Sequence, residues 1–381
     1  MPTAFDPAVH LAYQPPSSRV SMADLGKIGE GIAPTGITQP FPLLTAEGVR
    51  ALREEIFSPH VLERCTHTSD LAPCQIRGMS SRTGFASFNE SLWTHPETIR
   101  AVSDAAGIEL VPIMPYELGH VNVQLTMGPD TVSKLGPEPL RPTGPVIRGE
   151  SVVPTLVPGM NNLLPANPPA LTDSDTESED EIASPVAPTN TRTLPEPTIA
   201  ESEPEPEQPA AAKEDRPVVG WHRDSYPWVC VLMLSDATTM QGGETGLMRT
   251  DRTVEKVRGP QMGWAIMLQG RYVDHVALNA FGAPERVTMV TSYRAKDPMV
   301  RDDSVLTTIR PVANLNELYY EWSTYRLDLL SERFRRLSEE LKQKRGDGSS
   351  PWGTEVVKKD EFKNWVQDQI KYLQTTIDEM V

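Results

Sequence analysis

Residues 221–226 have the sequence WHRDSY, and this stretch decides how the rest of the chain is interpreted. His222 and Asp224 are two positions apart, and side chains at positions i and i+2 of an extended strand share a face. A neutral imidazole nitrogen and a carboxylate oxygen together suit a borderline cation such as Fe(II). Two ligands do not complete a metal site, so we expect a third from a neighbouring strand.

His275 is the candidate for that third ligand. It lies 53 residues after His222, in the segment GRYVDHVAL that follows the apolar run GWAIML. Two histidines and one carboxylate on one face of an octahedral ion form a facial triad, which leaves three positions open for a bidentate 2-oxo acid and dioxygen. Zinc enzymes also use His and Asp ligands, but often with different spacing.

Arg286 follows His275 by eleven residues, in APERVTMVTSY. A planar guanidinium can bind the distal carboxylate of 2-oxoglutarate in bidentate fashion. Thr288 shares the strand face of Arg286 and can add a hydroxyl donor. A buried Arg without a nearby acid is costly unless an anion completes it, which favours a bound dicarboxylate. The order His-x-Asp, a GGET turn, a distal His and then Arg is much rarer by chance than His-x-Asp alone.

Residues 221–297 resemble the core of the Fe(II)/2-oxoglutarate oxygenase superfamily, in its prolyl-hydroxylase-like and phytanoyl-hydroxylase-like members. The resemblance rests on HRDS at 222–225, the apolar strand that ends at Leu234 and the turn QGGET at 241–245, and it covers about a fifth of the chain. It implies a double-stranded β-helix barrel of jelly-roll or cupin type. It also implies iron and 2-oxoglutarate sites, with dioxygen as the oxidant, formed by His222, Asp224 and His275 and by Arg286 and Thr288.

The whole chain is similar to fungal members of this superfamily, some of which act in secondary metabolism. The similar segments are SMADLGKIGEGI at 21–32, YELGHVNVQ at 116–124 and GRYVDH at 270–275, together with a variable acidic insert. The resemblance implies an enzyme that hydroxylates or oxidatively cyclises an unactivated C–H bond. A small metabolite, such as an amino acid or a secondary metabolite, is the expected substrate.

Residues 110–126 form a strand-like segment that is interrupted near Pro115. In its second half the side chains alternate, with Val121, Val123 and Leu125 on one face and His120, Asn122 and Gln124 on the other. Two interpretations stay open: a surface strand with a polar outer face, or a strand whose polar groups lie inside a binding cavity. The metal motif favours the cavity, with Asn122 contacting the cosubstrate and His120 and Gln124 contacting the substrate.

Three further residues are candidate substrate contacts. We expect Tyr226 and Trp228 to continue the strand of His222 on its ligand face. Arg271 shares strand parity with His275, so its guanidinium would suit a substrate carboxylate. A surface Arg with a buried stem is the alternative interpretation of Arg271.

Composition divides the 381 residues into four regions. Residues 1–127 hold an extended arm over 1–40, then helices and the first barrel strands. Residues 128–216 form a Pro- and acid-rich insert, which we predict to be mostly disordered because it cannot bury enough apolar surface to offset its ordering entropy. Residues 217–298 carry the barrel core and the metal site, and residues 299–381 form a helical extension. The predicted fold is therefore mainly β with flanking helices.

Helical periodicity marks both ends of the chain. One helix follows Thr45, which can cap its first turn, and another opens at THPE, residues 94–97, and stops at Gly107. Near the C-terminus, apolar residues at spacings of three and four predict a helix that ends at Gly346 and a second helix beyond it. These two helices are expected to pack on the barrel, and a homodimer through them is the alternative.

Charge and cysteine content limit the possible partners. The formal net charge of -16 argues against a nucleic-acid partner, although residues 171–208 alone contribute -10 of it, from 11 acids and one Arg. Three cysteines are too few for a disulfide framework, which favours a reducing compartment. Neither a signal peptide nor a membrane segment is expected, so we predict a cytoplasmic enzyme with a small-molecule substrate.

Three alternatives to this prediction remain open. The first is a non-catalytic scaffold of the same fold, which the intact candidate ligands argue against. The second is a metal enzyme that does not use 2-oxoglutarate, which Arg286 and Thr288 argue against. The third is an oxygenase that acts on protein side chains, with the long insert recruiting its partner.

Overall fold

A computed structural model describes residues 4–67, 74–125, 132, 134–141, 219–346 and 351–381. All of them lie within one unit, formed by Met1–Leu156 and Asp215–Val381. In this part of the chain, antiparallel β-sheets predominate and helices flank them, as predicted. The predicted disorder of the insert falls almost entirely outside the described residues, and the four domain boundaries stay predictions.

The described residues contain sixteen strands and seven α-helices. The strands are β1 (Arg19–Ser21), β2 (Thr35–Thr38), β3 (Phe41–Pro42), β4 (Thr66–His67), β5 (Gln75–Ile76), β6 (Leu110–Pro112), β7 (His120–Leu125), β8 (Val219–His222), β9 (Trp228–Met233), β10 (Gln241–Gly242), β11 (Thr245–Met248), β12 (Val254–Val257), β13 (Trp264–Leu268), β14 (His275–Ala277), β15 (Ala280–Phe281) and β16 (Glu285–Ala295). The helices are α1 (Pro7–His10), α2 (Ala46–Ile56), α3 (Pro59–Cys65), α4 (Ser87–Thr94), α5 (Pro96–Ala106), α6 (Leu315–Arg345) and α7 (Lys359–Asp378).

Ten strands form the larger sheet, in the order β1-β2-β13-β9-β16-β7-β5-β4, with β3 beside β13 and β6 beside β16. β16 lies at its centre, and its sequence ERVTMVTSYRA is rich in the β-branched and aromatic residues that suit a buried strand. The prediction of an extended arm for residues 1–40 was wrong in part, because β1 and β2 join this sheet through the pairing of Ile37 with Leu268.

Helices α2, α4 and α5 cover the outer face of the larger sheet, where Trp228, Cys230 and Leu232 of β9 pack into the apolar core. The helix predicted after Thr45 is confirmed, and the Thr45 hydroxyl accepts a hydrogen bond from the Gly48 amide at 3.0 Å. Gly107, with φ of +77°, ends α5 as predicted. The residue that caps α5 is His95, because Thr94 is the last residue of α4.

A smaller sheet with the strand order β12-β11-β14-β8 faces the inner side of the larger sheet, and β10 pairs with β15. Leu247 and Val257 of the smaller sheet share an apolar cluster with Val229, Ile266 and Val290 of the larger one. The two sheets therefore pack face to face, and we call the region between them the inner space. The described strands do not close into one continuous barrel, so the barrel stays a prediction.

Helices α6 and α7 form the predicted C-terminal helical region. Asn314 caps α6, and Gly346 ends it where predicted. Helix α6 packs through Leu318, Trp322 and Tyr325 on Tyr226, between β8 and β9, and on the segment that joins β6 to β7. No helix among the described residues is both long and apolar enough to cross a membrane.

Candidate metal centre

The predicted ligands meet where β8 and β14 pair. His222 and His275 lie opposite each other in the antiparallel register, with ring centroids 4.2 Å apart. Leu247 of β11 is opposite His275 on its other side and belongs to the inner apolar cluster. Because directly opposite residues share a face of a sheet, both histidines project into the inner space.

Asp224 completes a three-residue cluster. Its backbone N–H donates to the Gly270 carbonyl at 2.9 Å. One carboxylate oxygen lies 3.5 Å from His222 Nε2, and the other lies 3.5 Å from His275 Nε2. The potential ligand atoms of the three residues lie within 4.8 Å of one another, so the cluster could hold a metal ion.

The second nitrogen of each imidazole fixes the ring for metal binding. His222 Nδ1 lies 2.7 Å from the Gly220 carbonyl oxygen, and His275 Nδ1 lies 2.9 Å from that of Val273. A carbonyl only accepts, so each Nδ1 carries a proton and donates it. Each Nε2 then points toward the other ligands and can offer its lone pair to a metal ion, which is the arrangement that metal-bound histidines use.

Charge in the cluster favours a cation. Burial alone would raise the pKa of Asp224, but the charge of His275 and the hydrogen bond and charge of His222 lower it to about 2. Burial also acts to lower the pKa of His222, yet Asp224 outweighs it and the pKa rises. Asp224 is therefore an ionised carboxylate that attracts a positive partner, and a divalent cation would compete with a proton on His222.

Gly270 was missed by the sequence analysis, although it lies within the quoted segment GRYVDH. A Cβ atom placed on Gly270 would lie 1.8 Å from Asp224 Oδ2 and 2.6 Å from its Cγ. Only glycine leaves room for the carboxylate where it is. No local signal identifies this glycine, because the clash arises with a residue 46 positions earlier in the chain.

We predict that Gly270→Ala lowers the affinity for Mn(II), used as a redox-stable probe, by about 10- to 100-fold, because the carboxylate of Asp224 must move. Calorimetric titration of the purified protein measures this. Gly220→Ala is the matched control, since a Cβ there meets nothing within 4 Å although Gly220 is two residues from His222. Equal affinities for wild type and Gly270→Ala would show that Asp224 is not a ligand.

A bidentate ion pair ties the two ligand segments together. Arg223 Nε donates to Asp274 Oδ1 at 3.0 Å, and Nη2 donates to Oδ2 at 2.8 Å. Arg223 lies between His222 and Asp224, and Asp274 precedes His275. The ion pair therefore links the segment that carries His222 and Asp224 to the segment that carries His275. Neither of its residues belongs to the metal cluster.

For this pair we expect a double-mutant cycle to show coupling. Because the pair is about one-third exposed, Arg223→Met and Asp274→Asn should each reduce Mn(II) affinity by only about three- to tenfold. The double variant should be no weaker than the worse single variant, since either change already breaks the pair. Fully additive losses, measured by the same titration, would show that the two residues act independently.

The polar side chains of β7 lie inside the protein, which decides between the two interpretations of this strand. In the register of β7 and β16, Arg286 is opposite Gln124, Thr288 is opposite Asn122 and Val290 is opposite His120. Val290 belongs to the inner apolar cluster, so all these residues face the inner space. His120 also interacts electrostatically with Asp224, which places it beside the metal cluster.

Arg286 is a buried cation that forms no ion pair with any acid among the described residues. Arg286 is only 8% exposed, and its Nε has no hydrogen-bond partner within the described part of the chain. Burial lowers the pKa of Arg286 to about 10, with no opposing contribution from a carboxylate. The glycine turn of β10 packs nearby, since a Cβ on Gly243 would lie 3.8 Å from Arg286 Nε. This geometry suits an anion held in the inner space.

A buried polar network supports β7 from behind. Gln75 Nε2 donates to Asn122 Oδ1 at 2.8 Å, and Arg77 Nε donates to Gln75 Oε1 at 2.9 Å. Arg77 also pairs with Glu117 at 3.2 Å, and Glu117 Oε2 lies 3.6 Å from His120 Nδ1. Burial, followed by the charge of Arg77, lowers the pKa of His120, so its imidazole is neutral. The sequence analysis did not identify Gln75 or Arg77, and it quoted Glu117 within YELGHVNVQ without assigning it a role.

Trp228 does not reach the site. It is fully buried in the outer core, against the helices. The prediction that it continues the strand of His222 was wrong, because residues 223–227 bend between β8 and β9 and these strands belong to different sheets. The bend resets the alternation of side chains on which the prediction relied.

Tyr226 and Arg271 also lie outside strands. Tyr226 packs against Trp322 of α6, and its buried hydroxyl meets no hydrogen-bond partner in the described ranges. Burial, reinforced by the charge of Glu117, raises the pKa of Tyr226 well above its usual value. Arg271 lies in a turn, so its strand parity does not apply, and its Nε donates to the Asp303 carbonyl at 2.8 Å.

Comparisons with known proteins do not assign the chain to a family. No family model matches it, and neither does any curated protein. IDO from Bacillus thuringiensis is 16% identical over 21% of this chain and 36% of its own, with a TM-score of 0.18. A Pseudomonas putida prolyl-4-hydroxylase is 20% identical over 20% of this chain and 45% of its own, with a TM-score of 0.17. This chain spans less than half of either structure, and likenesses this weak carry no argument.

Proposed function

We propose that the chain is an Fe(II)- and 2-oxoglutarate-dependent dioxygenase that hydroxylates or oxidatively cyclises a small molecule at an unactivated C–H bond. The observation that carries the proposal is Arg286, a buried guanidinium that pairs with no acid in the described residues and shares the inner space with a His-Asp-His cluster. In this proposal the two facing sheets are the halves of a double-stranded β-helix, and the chain is a fungal-type member of the oxygenase superfamily.

The donor set fits the implied metal. His222, Asp224 and His275 offer two neutral imidazole nitrogens and one carboxylate oxygen, the set that non-haem Fe(II) oxygenases use. When bound, iron with 2-oxoglutarate and dioxygen supplies the oxidation chemistry. The protein holds the ligand geometry through the Nδ1 hydrogen bonds and the space at Gly270.

The residues of β7 and β16 would hold the cosubstrate. Arg286 would bind its distal carboxylate with two parallel N–H donors, and the Thr288 hydroxyl would add a third. Asn122 accepts from Gln75 through its amide oxygen, which leaves its amide nitrogen to donate toward the cosubstrate. The anion would thereby satisfy a buried cation that lacks a carboxylate partner.

Substrate contacts are proposed on the side of the metal cluster where His120 lies. Gln124 Oε1 and the Tyr226 hydroxyl are buried and have no hydrogen-bond partner among the described residues, so a ligand with donor and acceptor groups would satisfy them. Arg271 stays a proposed contact for a substrate carboxylate. The small-molecule substrate, the cytoplasmic location and the absence of nucleic-acid and membrane partners also stay predictions.

Thermal unfolding tests the proposal without a known substrate. With Mn(II) present, 2-oxoglutarate should raise the melting temperature further, because a ligand that binds only the folded protein stabilises it. Without metal, 2-oxoglutarate should have a much smaller effect, since the 2-oxo acid would bind the ion directly. Stabilisation by Mn(II) that 2-oxoglutarate never increases would instead favour a metal enzyme with another cosubstrate.

A further inference from the structure

The C-terminal helices expose an apolar surface. On α6, Tyr320, Leu327 and Phe334 are 68%, 57% and 48% exposed, and α7 exposes Phe362, Ile370, Leu373 and Ile377. We call these seven residues the C-terminal apolar face. Single exposed apolar side chains are ordinary, but a contiguous set on two paired helices marks an interaction surface.

The spacing of these residues is that of a helix-packing seam. On α6 they recur every seven residues, and on α7 the gaps from Ile370 to Ile377 are three and four. An average repeat of 3.5 residues is the pattern by which helices pack lengthwise on other helices. The surface therefore fits helices better than it fits a small ligand or a sheet edge.

Both halves of the face lie on one side of the helix pair. Helices α6 and α7 run antiparallel and touch through Arg326 with Tyr372, Arg333 with Gln369, and Trp322 with Thr376. Five exposed residues directly follow one of these contact residues in the sequence: Leu327, Phe334, Ile370, Leu373 and Ile377. The side chain that follows a contact residue is rotated by about 100° around the helix axis. Because the two helices are antiparallel, this rotation points the exposed side chains of both helices to the same side of the pair.

The exposed area is close to what one side of an interface requires. Aromatic side chains present about 150–250 Å², and roughly half of this is exposed for each of the three aromatic residues. With the four aliphatic residues, the face amounts to on the order of 600 Å². Specific interfaces bury about 800 Å² per partner, so this face with a polar rim is large enough for a dimer.

We propose that the C-terminal apolar face binds a second copy of the chain, through an antiparallel four-helix interface around a two-fold axis near Ile370. Charge complementarity favours a second copy over another helical partner. Lys363 lies seven residues before Ile370 and Asp378 lies eight after it. With a rise of 1.5 Å per residue, the two residues lie at nearly equal distances on opposite sides of the axis. A two-fold rotation therefore places Lys363 of one copy beside Asp378 of the other. Neither has an ion-pair partner among the described residues.

Sedimentation velocity over a range of concentrations tests the apolar part of the face. Wild type should be a dimer, and Ile370→Glu and Leu327→Glu should each raise the dimer dissociation constant at least about 30-fold, because a charge would be buried at the centre of the interface. Asn364→Glu is the matched control. Asn364 is an exposed α7 residue directly before Trp365, whose ring contacts Phe334 of α6 with centroids 5.4 Å apart, so Asn364 lies on the side opposite the exposed residues and its replacement should change the constant less than threefold.

A charge exchange tests the orientation of the two copies. Lys363→Asp should weaken the dimer, and adding Asp378→Lys should restore it, because the pair then forms with reversed signs. A monomeric wild type, or a dimer that Ile370→Glu and Leu327→Glu leave intact, would overturn the proposed interface. Failure of the charge exchange to restore the dimer would overturn the antiparallel arrangement. Mn(II) and 2-oxoglutarate binding should be unchanged in all these variants, which separates this test from that of the enzymatic function.

Discussion

His275→Ala is expected to lower Mn(II) affinity by at least about a hundredfold. The loss of a partner behind a ligand already costs about 10- to 100-fold, so the loss of a ligand must cost as much or more. Calorimetric titration measures the effect, with circular dichroism to establish that the variant is folded. Asp224→Ala should behave in the same way, because its carboxylate lies between the two imidazoles.

His120→Gln provides the control for this prediction. His120 is buried beside Asp224 but does not belong to the cluster of potential ligands. Its replacement should change Mn(II) affinity less than about threefold. If His120→Gln abolished metal binding while His275→Ala preserved it, the assignment of the ligands would be wrong.

Arg286→Met should weaken 2-oxoglutarate binding and leave Mn(II) affinity unchanged. Removing one partner of a buried, hydrogen-bonded charge pair costs about 2–4 kcal/mol, which is about 30- to 700-fold in affinity. Arg286→Lys should be intermediate, because Lys keeps the charge but loses the planar pair of donors. The matched control is Arg294→Met, on the same strand and face, whose guanidinium donates to the Ala295 carbonyl. Unchanged 2-oxoglutarate binding in Arg286→Met would remove the evidence for a dicarboxylate site.

The same substitution should have the opposite effect on stability. In the absence of 2-oxoglutarate, the buried charge of Arg286 has no carboxylate partner among the residues that the structure describes, and replacing it with Met should raise the free energy of unfolding by about 1–3 kcal/mol. Urea denaturation of the ligand-free protein measures this change. A decrease of similar size in the free energy of unfolding would mean that Arg286 stabilises the fold and does not bind a ligand.

The metal cluster was predictable because its geometry is local in part. The two-residue spacing of His222 and Asp224 predicted two neighbouring ligands, although Asp224 lies just beyond β8 and outside any strand, and His275 was expected from a neighbouring strand, which is β14. The polar face of β7 was also visible as alternation, although its direction became clear only from its register with β16. These features depend on periodicity, which sequence displays directly.

Other parts of the site depend on contacts between distant segments. Gly270 is required by a clash with Asp224, and Arg77 reaches Glu117 across 40 residues. Trp228 was misplaced because a bend separates it from His222, and alternation predicts nothing across a bend. The sequence analysis missed β1 and β2 because glycine and proline interrupt their pattern, and the pairing of β2 with both β13 and β1 stabilises them in the sheet.

An anaerobic titration of the purified protein with Fe(II) and then 2-oxoglutarate, followed by visible absorption, tests the proposed function most directly. We predict a weak metal-to-ligand charge-transfer band when the 2-oxo acid binds the iron, absent in His222→Ala and shifted to higher 2-oxoglutarate concentration in Arg286→Met. Bound iron with no band at saturating 2-oxoglutarate would contradict the proposed cosubstrate, and a folded protein that binds no iron would contradict the metal centre itself.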